Sequence, residues 1–125
     1  MLLDTCALLW LAQGSHNLSK SARARLAAAT LVYVSAISAF EIGLKYRSGK
    51  LALPTPPAEW FAAVVAHHAL TVHPLDWEVC LAATELPLIH RDPCDRFIIA
   101  TAKHLGLPVV TADPNFTGYG IEIIS

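Results

Sequence analysis

Four carboxylates stand where an α/β chain presents ligands: Asp4 after the apolar start MLL, Glu41 in VSAISAFEIGLK, Asp95 in HRDPCDRF and Asp113 in PVVTADPNF. Asp4 and Asp113 follow strand signals, and Glu41 and Asp95 lie in the first turns of expected helices. In a parallel sheet those positions share the edge at which ligands bind. Carboxylates gathered at a partly buried edge repel one another, and each ionised one costs several kcal/mol to desolvate unless it is paired. A divalent cation removes both penalties. Hard oxygen ligands with no histidine or cysteine among them favour magnesium or manganese over zinc.

Local roles are open to the same residues. Asp4 with Thr5 suits the cap of a first helix, Glu41 can pair with Lys45 at i, i+4, and Asp92 with Asp95 can form a capping box around Pro93. Asp113 can open an Asx turn in DPNF. Spacing alone leaves both kinds of role standing.

The elements that must position these acids alternate along the chain. Strand signals fall at residues 1–3, 31–34, 70–72, 109–111 and 121–124, and helix signals at 5–12, 20–29, 38–47, 57–67, 77–85 and 93–105. That alternation predicts a single α/β domain over residues 1–125 with a largely parallel sheet. At 100° per residue Asp95 shares a helix face with Ile98, Ile99 and Ala102, so it points inward. Glu41, expected in the first turn of its helix, borders the face of Ile37 and Leu44.

A chain of 125 residues with 54% apolar content fits one cooperative core. Its net charge of −1 supplies no basic field of the kind that marks a nucleic-acid binder by composition. No apolar run reaches the length of a membrane helix, and the start lacks the basic region and cleavage site of a secretory signal, so a cytoplasmic protein with no membrane partner is expected. Cys6, Cys80 and Cys94 are scattered and never in a CxxC pair, which reads as core filling. His67 and His68 are adjacent and point about 100° apart on a helix, while His73, His90 and His104 show no ligand spacing. Dinucleotide, phosphate-loop and GxSxG signatures are missing, and those enzyme classes drop out.

Three stretches taken in order, MLLDTCALLWL, VSAISAFEIGLKYRSGKL and HRDPCDRFIIATAKHLGLPVVTADPNF, closely resemble the successive signatures of PIN-domain proteins, in particular VapC-type toxins of bacterial toxin–antitoxin pairs. The resemblance implies a PIN-like three-layer α/β/α fold with a central, mostly parallel sheet of about five strands. It implies a Mg2+- or Mn2+-dependent ribonuclease, with Asp4, Glu41, Asp95 and Asp113 as the acidic quartet, Thr5 as its usual hydroxyl neighbour and Asp92 as a further acid; Thr111 is an accessory candidate. Cys6 stands where relatives often have histidine, and Cys94 where they often have an aromatic residue. Asp4, Glu41 and Asp95 are expected to hold the principal ion, and Asp113 a second ion or the attacking water.

RNA needs phosphate contacts, for which the candidates are Lys45, Arg47 and Lys50 on one element and Arg91, Arg96 and Lys103 on another. Lys45 and Arg96 lead, lying one turn or one residue from a proposed ligand. The resemblance also implies a homodimer and a cognate antitoxin; Trp10, Phe40, Tyr46, Trp60 and Phe61 are apolar candidates for such surfaces, though most are expected to be core. Two other readings compete: a catalytically silent PIN-like interaction protein, and a receiver-like Mg2+-binding signalling module. The second would need a phosphoacceptor at the end of a central strand, for which LTVHPLD offers only Asp76.

Overall fold

The computed structural model describes residues 1–125. Five short strands, β1 (Leu2–Leu3), β2 (Tyr33–Ser35), β3 (Thr71–His73), β4 (Val109–Val110) and β5 (Ile123–Ile124), form one sheet in the order β3-β2-β1-β4-β5. All four pairings are parallel, with Leu2 opposite Tyr33 and Val109, and Leu3 opposite Val34 and Val110. Helices α1 (Thr5–Gln13) and α2 (Lys20–Ala28) join β1 to β2, α3 (Ala36–Arg47) and α4 (Pro57–His67) join β2 to β3, and α5 (Trp77–Glu85) and α6 (Pro93–Leu105) join β3 to β4. A 3-10 turn, Pro114–Phe116, follows β4.

The period of two along each strand divides the interior. Leu3, Val34, Val110 and Ile124 face a core built with Ala7, Leu8, Ala22, Trp60 and Val64 of α1, α2 and α4. Leu2 and Val109 face the other core, with Val79 and Ala83 of α5 and Ile98, Ile99 and Ala102 of α6. Helix α3 serves both, through Ile42 and Ile37 respectively. The result is the three-layer α/β/α arrangement, in which a parallel sheet is covered on both faces. No helix is long and apolar enough to cross a membrane.

Helix ends follow their local chemistry. Asp92 caps α6, Pro93 occupies its first position, and Gly106 ends it at φ 66°, a left-handed conformation that suits glycine. Two positions differ from the sequence reading. Ser35 accepts a hydrogen bond from the Ile37 N–H at 3.1 Å and starts α3 at Ala36, which moves Glu41 from the first turn to the second. Strand β3 lies at the sheet edge, and Asp76 spends its carboxylate capping α5 through the Val79 N–H at 2.8 Å. The receiver-like reading fails on both counts.

Candidate metal centre

The carboxyl end of the middle strand, β1, delivers Asp4, which is buried. Its Oδ1 accepts from the Ala7 N–H at 2.7 Å, capping α1, and its Oδ2 accepts from Thr111 Oγ1 at 2.5 Å. Thr111 follows β4, the adjacent strand, and its Oγ1 also accepts the Asp113 N–H at 3.0 Å. One hydroxyl thus orients two acids. Replacing it with the isosteric valine leaves a buried carboxylate oxygen without its donor, a loss of about 1–3 kcal/mol. Urea unfolding should show Thr111→Val destabilised by that amount and Thr111→Ser close to the parent; equal stability of both variants would refute the role.

Glu41 enters from α3, also buried, with Oε2 3.1 Å from Lys45 Nζ and Oε1 buried with no partner at all. Thr5 Oγ1 and Ser38 Oγ, 2.9 Å apart, tie α1 to α3 one turn before Glu41. Asp95 lies in the first turn of α6, its Oδ2 3.0 Å from His90 Nε2. Asp113 places Oδ2 2.9 Å from the same nitrogen and accepts the Asn115 N–H on Oδ1 at 2.9 Å. Asp92 accepts the Cys94 N–H at 2.9 Å, the helix cap. The local roles of Asp4, Glu41, Asp92 and Asp113 are therefore real, and they coexist with convergence. Asp4, Glu41, Asp92, Asp95 and Asp113 line one cavity of about 290 Å³, together with Thr5 and Lys45.

The charges in that cavity do not balance. Burial raises the pKa of Asp4, opposed by its hydrogen bonds from Thr111 and Ala7 and reinforced by repulsion from Asp113 and Glu41. Burial, with repulsion from Asp92 and Glu41, pushes Asp95 up to about 7. Burial acts to lower Lys45, but the bond to Glu41 and the negative charge of Glu41 and Asp92 together leave it raised. Burial and the neighbouring Glu41 hold the Cys94 thiol up at about 11, so it stays protonated and is a poor ligand. Five carboxylates, one lysine and an orphaned buried Glu41 oxygen suit a divalent cation with hard oxygen ligands.

Two expected phosphate contacts are corrected. Arg96 is buried, and its guanidinium donates to the carbonyls of Pro87, His90, Ala83 and Leu86 at 2.7–3.0 Å. With its donors committed to the end of α5 and the following loop, it is not available to RNA. Lys103 lies about 12 Å along α6 from Asp95 and donates to the Tyr119 carbonyl at 3.0 Å. Lys45 remains at the cavity wall, 39% exposed along its side chain. The residue missed from sequence is His90, which joins Asp95 and Asp113 in a compact His/Asp cluster. Its one local signal is its place two residues before Asp92, the cap of α6.

Comparison with known proteins places these features in company. Residues 1–121 match the PIN domain family. The chain is 32% identical over 114 residues to Ribonuclease VapC22 of Mycobacterium tuberculosis, covering 90% of this chain and 86% of that protein. VapBC2 from Rickettsia felis, solved bound to a DNA fragment from its promoter, matches with a TM-score of 0.70 at 14% identity, covering 98% of this chain and 96% of that one. DNA-bound VapBC from Salmonella typhimurium matches with a TM-score of 0.68 at 23% identity, covering 98% and 95%. At these identities the structural likeness is one of fold.

Proposed function

This chain belongs to the PIN domain family, and on that premise we propose that it is a Mg2+- or Mn2+-dependent endoribonuclease, a VapC-type toxin neutralised by a cognate antitoxin. The observation that carries the reading is the convergence of Asp4, Glu41, Asp95 and Asp113 on one cavity in which a buried Glu41 oxygen lacks any partner. Asp4, Glu41 and Asp95 would hold the principal ion, and Asp113, more exposed at 34% than Asp95 at 16% or Glu41 at 10%, a second ion or the attacking water. A divalent ion held there would supply water of lowered pKa and neutralise charge on the phosphodiester oxygens. Its identity as magnesium or manganese rests on the oxygen donors.

The chain's own residues do the rest. Thr111 fixes Asp4 and the start of the Asp113 turn, so the carboxylates are oriented before substrate arrives. Lys45 offers a cation beside the acids for a substrate phosphate, with the exposed Arg47, Lys50 and Arg91 around it, giving affinity that weakens with salt. Exposed Phe40 and Leu44, one turn apart on the helix that carries Glu41, provide an apolar surface suited to an antitoxin segment, and a homodimer has Trp77 and Leu81 of α5 available.

Cleavage of an end-labelled structured RNA by purified, antitoxin-free protein tests the reading. Mg2+ or Mn2+ should support hydrolysis, and both chelator and Asp4→Asn should abolish it. Full metal-dependent cleavage by Asp4→Asn would sink the assigned ligand set. Metal binding by folded protein across a panel of RNAs, with none cleaved, would favour the silent interaction protein instead.

A further inference from the structure

His90 is held from every side. Its backbone N–H donates to Tyr119 Oη at 2.6 Å, Tyr119 Oη donates to the Pro87 carbonyl at 2.8 Å, and the His90 carbonyl accepts from Arg96 Nη1 at 3.0 Å. The side chain is 7% exposed and its ring packs edge-on against Phe116 at 5.2 Å between centroids. Its Nδ1 accepts the Asp92 N–H at 3.2 Å. A ring nitrogen that accepts carries no proton, so in this network the hydrogen of the neutral imidazole sits on Nε2. That hydrogen faces Asp95 Oδ2 at 3.0 Å and Asp113 Oδ2 at 2.9 Å, two oxygens from separate parts of the chain.

Three such atoms within 4.8 Å of one another have the spacing of a metal site. The tautomer argues otherwise, because Nε2 binds an ion only through a lone pair that the Asp92 contact places on Nδ1. Exchanging tautomers would set an Nδ1 hydrogen against the Asp92 N–H, donor facing donor. We propose that His90 is a positioning residue and not a ligand: its Nε2–H draws Asp95 and Asp113 together at the wall of the cavity they both line, while Asp113 Oδ1 stays on the Asn115 N–H. The inference rests on the metal-binding reading of that cavity. Without the shared hydrogen the two carboxylates repel, and Asp113, already partly exposed, keeps only the Asn115 N–H on Oδ1 to hold its carboxylate.

Calorimetric titration with Mn2+ alone, in the absence of RNA, tests this on the full chain. His90→Phe keeps a ring against Phe116 but has no donor; it should weaken Mn2+ binding about 10- to 100-fold, the usual effect of losing a partner that orients a ligand. His90→Gln carries an amide N–H toward the position of Nε2 and should recover most of the affinity. A purely structural role would lower the stability of both variants without that recovery. Long-range proton–nitrogen NMR on histidine-labelled wild-type protein supplies the spectroscopic test, independent of whether any variant folds: the His90 proton should stay on Nε2 before and after Mg2+ addition. Loss of that proton on Mg2+ addition, wild-type Mn2+ affinity in folded His90→Phe, or no Mn2+ binding by the wild type would each overturn the inference. Mn2+ binding that depends on His90, with no RNA cleaved, would leave it standing and remove only the ribonuclease reading.

Discussion

Changing Asp95 to asparagine is expected to abolish metal-dependent RNA cleavage and, at the same time, to make the metal-free protein more stable at pH 8. The first effect follows from removing a charged ligand that is worth several kcal/mol at a metal-stabilised transition state, or about 10³-fold in rate. The second follows from the site's own electrostatics. Burial, together with Asp92 and Glu41, raises the Asp95 carboxyl to about 7 in the folded protein, against roughly 3.9 in an unfolded chain. The folded state therefore binds that proton more tightly than the unfolded state. The stabilisation from this group is complete below pH 4 and is lost as pH rises through the window to about 7.

Asparagine escapes that loss because it never ionises. Discounted for screening at a partly solvated cavity, the advantage at pH 8 is on the order of 1–2 kcal/mol, which is several degrees in melting temperature for a domain of this size. Melting curves of the two proteins in chelator at pH 4 and pH 8 should show the gap open only at the higher pH. Saturating Mn2+ should then reverse the order, since an ion that binds only the folded wild type stabilises it by mass action. Equal melting temperatures at both pH values would mean that Asp95 carries no buried, repelled charge.

That antagonism explains why Asp95 stands out in the sequence. A carboxylate on the apolar face of a helix, beside Ile98 and Ile99, contradicts the core it borders, and the contradiction is visible without coordinates. The helices were legible for a related reason: Asp92 and Pro93 before α6, Gly106 after it and Pro57 at the start of α4 are explicit boundary signals. The bounds of α4, α5 and α6 agree with the sequence reading residue for residue. Strands of two or three residues are too short to give an alternation to read, and their limits shifted by one or two positions.

The histidine could not be found in the same way. His90 acquires its role from Asp113, more than twenty residues on, and its fixed position from Tyr119, Phe116 and Arg96, so no window of sequence contains the arrangement. Arg96 was misread for the opposite reason. It adjoins Asp95 in sequence, but one residue turns a helix by about 100°, enough to carry its guanidinium from the cavity to the end of α5.

Arg96 should consequently behave as a structural cation. Its two Nη nitrogens donate four hydrogen bonds, to Ala83 and Leu86 at the end of α5 and to Pro87 and His90 in the loop beyond. Helix carbonyls at a C-terminus lack partners within the helix and carry partial negative charge, so a guanidinium there serves as cap and counter-charge together. Arg96→Met removes the donors while keeping much of the volume, leaving buried carbonyls unpaired at a cost of about 3–5 kcal/mol. Arg96→Lys should recover only part of it, because one ammonium cannot reproduce a planar fork reaching four oxygens. The freed loop carries His90, so folded Arg96→Met should also bind Mn2+ more weakly, whereas an arginine that only contacted RNA would change cleavage and its salt dependence and leave the urea midpoint alone. Wild-type stability in Arg96→Met would return the residue to the substrate side of the molecule.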